Sequence, residues 1–173
     1  MTIRALLFAP LVVTLLAAAE RDQGAFSSGV WRGKANYDSD GKFSDCTMTA
    51  QSKTGVLLAF VISKDFDWGL ALADERRNFE VGTTETIVLL IDARKPIHAI
   101  AKVVDVHGIL IPLESTDPVL DALRHGKILT IVADGAKFSF KLTGTRDAIA
   151  ALAACVTRHR GTEKVELSTR APA

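Results

Sequence analysis

Apolar and polar positions alternate along most of the chain between residues 28 and 142, the pattern of strands with one buried face. Residues 28–37 predict a first strand, Asp38-Ser39-Asp40-Gly41 a turn, and residues 43–51 its hairpin partner. In that partner Cys46, Met48 and Ala50 share one face, and Asp45, Thr47 and Thr49 the other. Ser52-Lys53-Thr54-Gly55 is a second turn before the apolar run 56–62. Trp68, Leu70 and Leu72 then alternate with Gly69, Ala71 and Ala73. A polar loop at 74–78 and a turn around Gly82 lead to 85–91, rich in β-branched residues. Residues 97–104 and 108–113 are two further strand candidates.

Two segments carry helical punctuation instead. Ser115-Thr116-Asp117-Pro118 offers capping residues and a first-turn proline, and the short helix after it stops at Gly126. Residues 127–132 and 137–142 then flank Asp134-Gly135, a strong two-residue hairpin signal. In the second of these strands Phe138, Phe140 and Leu142 face one way and Lys137, Ser139 and Lys141 the other. A second helix is expected over 145–159, with Thr145 as its cap and Ile149, Leu152, Ala153 and Val156 on its apolar stripe. Arg158, His159 and Arg160 complement its C-terminal end, and Gly161 stops it.

Eight or nine short strands with two late helices make the expected fold mainly β (α+β). Its expected form is an antiparallel β-sandwich or partly closed barrel with two short helices in the C-terminal third. A parallel α/β fold is excluded because helices do not alternate with strands.

The ends differ from this middle. Arg4 precedes an apolar run over 5–16, then Ala17-Ala18-Ala19, then Glu20-Arg21-Asp22. That order is the layout of a secretory signal peptide over 1–19. The run is shorter than the roughly 20 residues a membrane span needs, which argues against the alternative of an uncleaved anchor. The expected mature product is a single β-rich domain over 20–160, periplasmic or secreted, with no membrane span and a disordered tail over 161–173. The chain has 21 Lys and Arg against 20 acidic residues, and Arg4 belongs to the leader. A neutral domain has no global electrostatic reason to bind nucleic acid.

The four histidines, His98, His107, His125 and His159, show no short ligand spacing, and no cofactor or metal site is expected. His125 and His159 fit helix C-termini. Asp38-Ser39-Asp40-Gly41 lacks the third ligand position and the later glutamate of a calcium loop, and is read as a plain turn. The candidate recognition surface is Phe66, Trp68, Arg76, Arg77 and Phe79, where aromatics adjoin charges of both signs. The competing role for its aromatics is core filling.

The two cysteines carry the sharpest expectation. Cys46 lies on a strand face with Met48 and Ala50, and Cys155 beside Leu152 and Val156 on the second helix. In an oxidising compartment an even pair in one domain is expected to form a disulfide. The alternatives are two buried free thiols and a thiol at Cys155 activated by His159 at i+4.

Trp31 and Gly33 on the first strand, Asp45-Cys46-Thr47, Val88-Leu89-Leu90-Ile91-Asp92, Leu120 and Leu123 before Gly126-Lys127, and Leu142-Thr143-Gly144 ahead of residues 148–152 occur in that order. In this order the chain resembles exported bacterial proteins of the invasion-associated locus B type. The resemblance implies a β-sandwich-like fold and no particular biochemical activity. The expected function is a non-enzymatic binding or accessory module whose partner is another envelope or extracellular protein. An exported hydrolase with a dispersed active site and a structural envelope protein are the alternatives.

Overall fold

The computed structural model describes residues 25–114 and 118–169. The expected leader, the capping residues 115–117 and the last four residues lie outside that range. The elements are β1 (Phe26–Ser28), β2 (Trp31–Tyr37), β3 (Phe43–Gln51), β4 (Leu57–Ser63), β5 (Trp68–Ala73), β6 (Thr84–Ile91), β7 (Ile97–Asp105), β8 (Gly108–Leu113), α1 (Pro118–His125), β9 (Ile128–Ala133), β10 (Ala136–Lys141) and α2 (Thr145–Thr169).

The fold is mainly β, with two helices in its C-terminal part. All ten strands join one antiparallel sheet in the order β1-β2-β3-β4-β5-β8-β7-β6-β9-β10, and it is not closed. Hairpins run in sequence from β1 to β5. The loop after β5 then crosses to β6, and β6, β7 and β8 fold back so that β8 pairs with β5. Its backbone is tied to the β7–β8 turn on the way, Asp74 N donating to His107 O and Phe79 N to Val106 O. α1 carries the chain back across to β9 on the far side of β6. The sheet curls until its ends meet at one corner, where Ser28 Oγ donates to Gly144 O at 3.1 Å.

The alternation read from the sequence is what drives this curl, because every long strand buries one set of side chains. Met48, Phe60, Leu70, Ile111, Ile87, Ile131 and Phe140 come from seven strands and all belong to one core. α2 lies against β2 and β3, and α1 packs on α2. Ala148, Ile149, Leu152, Cys155 and Val156 of α2 and Leu120 and Leu123 of α1 complete that core.

Three local expectations are corrected. The first strand is two: the chain turns at Gly29 and Val30, and β1 pairs back on β2 with Phe26 opposite Gly33. Gly29 has φ +56°, and a Cβ there would strike the Thr143 carbonyl. Phe26 fills the space above Gly33 that a side chain would occupy, which holds the short strand in register. Second, α2 runs through Gly161 to Thr169, since an internal glycine costs only about 1 kcal/mol and does not by itself stop a helix. Third, Thr145 is not the side-chain cap. The carbonyl of Gly144 accepts from Ala148 N, while the buried Thr145 hydroxyl donates to Leu142 O and accepts from Trp31 Nε1 at 2.9 Å.

Candidate functional site

The five residues singled out for recognition lie in two places. Phe66 sits in the β4–β5 turn with φ +66°, 40% exposed, with the Arg160 guanidinium 5.3 Å from its ring centre. Trp68 opens β5 and is half-buried against the core. Arg76, Arg77 and Phe79 follow the other end of β5, about 17 Å away by strand rise. Within the crossover loop Arg76 clamps the buried carboxylate of Asp74, Nε to Oδ1 at 2.7 Å and the terminal nitrogen to Oδ2 at 3.1 Å. The guanidinium's hydrogen bonds hold Asp74 below the usual carboxylate range. Arg77 pairs with Asp134 of the β9–β10 turn at 3.2 Å and lies over the Phe138 ring, and Phe79 packs on the core. A cavity of about 530 Å³ opens beside them, lined by Arg77 and by Glu80, Glu85 and Asp134 among others.

Cys46 and Cys155 are joined by a disulfide, which rules out both the free-thiol pair and the activated Cys155. It fastens α2 to β3 across 109 residues. One turn on, His159 stacks on Phe43 and meets the Tyr37 hydroxyl through Nδ1 at 2.8 Å. Burial, reinforced by the neighbouring Arg158 charge, lowers its pKa. The histidine at i+4 from Cys155 thus belongs to an aromatic cluster.

The other candidate groups have local roles. Asp38 Oδ1 accepts from the backbone N–H of Asp40 and Lys42, which makes its loop a hydrogen-bonded turn. His125 Nδ1 lies 3.0 Å from Asp121 O at the end of α1, and His107 bonds the Arg77 carbonyl. Asp92 accepts from the backbone N–H of Lys127 and Ile128, which lowers its pKa. Among the described residues no group of three or more His, Cys, Asp or Glu stands together as a metal site.

A second cleft, of about 540 Å³, lies where the sheet curls, between β10 and the β3–β4 turn. Val30, Ile128 and Phe140 supply its apolar wall, and Lys53, Lys137 and Lys141 its charge. Among the described residues no acidic side chain lines it, and none of the three lysines is in an ion pair. The sequence showed Lys137, Ser139 and Lys141 as an outward face. That this strand would be the sheet edge, with Lys53 opposite, is a consequence of topology.

The crystal structure of invasion associated protein B from Bartonella henselae has a similar fold. It is 20% identical, and the match covers 78% of this chain and 97% of that one with a TM-score of 0.55. This bears out the distant resemblance carried by Trp31, Cys46 and the motifs after them, at the level of fold. No protein-family model matches the chain, and no curated protein matches it.

Proposed function

We propose that this protein is an exported, non-enzymatic accessory module that acts by binding another protein of the cell envelope or the extracellular space. The observation that carries the reading is the buried disulfide between Cys46 and Cys155. Such bonds form and persist in oxidising compartments, and this one ties the main helix to the sheet. The leader-like order of residues 1–19 agrees with the same compartment. Binding is favoured over catalysis because the candidate polar groups serve structural partners. Asp74 is committed to Arg76, Asp92 to backbone amides, and His159 to Tyr37 and Phe43. Fold likeness to an invasion-associated protein supports the architecture and carries no activity with it.

Crosslinking in intact cells followed by mass spectrometry tests the proposal. The expected result is a specific protein partner recovered with the oxidised chain from the envelope or the medium. Hydrolytic activity lost on substitution of a single Ser, His or Asp would overturn it, as would residence of the reduced chain in the cytoplasm.

A further inference from the structure

We propose that the cleft beside β10 receives an extended, acidic segment of a partner protein, which adds to the sheet as an eleventh strand; this rests on the reading of the protein as a binding module. Among the described residues β10 pairs with β9 alone. Leu142 N donates to Lys127 O, and in an antiparallel ladder the pairs that exchange hydrogen bonds alternate with pairs that do not. Residues 136, 138 and 140 therefore bond to β9, and the N–H and C=O groups of Lys137, Ser139 and Lys141 point to the open edge. A row of unpaired backbone groups is a template for another strand. β1 does not close it, because its three residues pair only with β2. The space of about 540 Å³ between this edge and the β3–β4 turn gives a guest backbone room.

Charge selects the guest. Lys137 and Lys141 flank the edge, Lys53 faces it, and among the described residues no carboxylate lines the cleft. A second copy of this chain would bring the same lysines edge to edge, and like charges there repel, as edge lysines commonly do to deter self-pairing. A strand with Asp or Glu at alternate positions would set its carboxylates on the face of Lys137 and Lys141, with Lys53 lining the same cleft, and its apolar side chains on the opposite face, beside Phe140.

The test uses the whole exported protein and two synthetic decapeptides, alternating Glu with Val and Gln with Val. The Glu peptide is expected to bind at least tenfold more tightly, to weaken with added salt, and to perturb the backbone amides of Lys137, Ser139 and Lys141. Ser139→Pro removes the outward N–H together with the hydroxyl contact to Thr130 and is expected to abolish binding, whereas Ser139→Ala, which loses the hydroxyl contact alone, retains it. Lys137→Glu with Lys141→Glu, a surface pair that leaves the core intact, is expected to abolish it as well. Equal affinity for the two peptides, amide shifts elsewhere, or binding of an anionic polysaccharide in place of the Glu peptide would each overturn the proposal. A photo-crosslinker at position 53 and another at position 66, used in cells, separate the two levels. Capture of a partner only through position 66 overturns the cleft and leaves the binding-module reading standing. Capture through neither overturns both.

Discussion

Thr145 and Trp31 are both fully buried and satisfy each other, the indole N–H donating to a hydroxyl that donates in turn to Leu142 O. Replacing Thr145 by valine keeps the shape and strands the indole N–H away from water. Thr145→Val is expected to lower stability by about 1–3 kcal/mol, read from urea unfolding; a change under a few tenths would show that the bond contributes nothing. His159 gives a pH-dependent counterpart. Its pKa in the folded protein lies below the unfolded value of 6.5 because burial disfavours the cation. The unfolded chain then takes up the proton first, so stability is full above pH 6.5 and falls as pH drops through the folded pKa. The melting temperature is expected to decline over that interval, and His159→Phe is expected to remove that part of the decline. A parallel decline in the variant would assign it to other groups. Of the two residues, Thr145 was legible as a helix-start residue but not as the partner of Trp31, 114 positions away.

At the scale of elements, the disulfide decides where α2 sits. The chain-entropy model gives up to about 4.7 kcal/mol for a closed loop of about 100 residues, and removal of a native bridge costs roughly 2–5 kcal/mol. The double substitution Cys46→Ala with Cys155→Ala is expected to lose stability in that range and to expose the helix amides near residues 148–156 to hydrogen exchange. Unfolded, unreduced protein is expected to show no free thiol; two titratable thiols would refute the bridge. Strand periodicity and the Asp134-Gly135 turn were readable because they are local. The turn has φ of +46° and +70° at those residues, which asparagine-like residues and glycine tolerate. The β1–β2 turn was missed because its cause is distant: Gly29 is held against the Thr143 carbonyl.

At the scale of the whole molecule, a single sheet wraps one core and leaves its last strand as an edge. The proposed export of this unit predicts a mature product beginning at Glu20, checked by intact mass of protein recovered from the exporting cell. A product that retains Met1 would show the first 19 residues to be an anchor. Its neutral balance of charge conceals a local excess, since three lysines converge on the β10 cleft, two from β10 and one from the β3–β4 turn. Net charge is blind to such convergence.

The sequence by itself determined the antiparallel β class, the two helices and most strand positions, because alternation, capping and turn chemistry act within a few residues. The expected pairing of its two cysteines rested instead on their even count and the expected compartment. Tertiary structure alone decided that β8 rather than β6 lies beside β5. It also decided that β10 is an edge facing Lys53. These depend on which strands meet after the chain crosses the sheet, and that choice is made by burial of all the inward faces in one core. No short stretch of sequence carries that information.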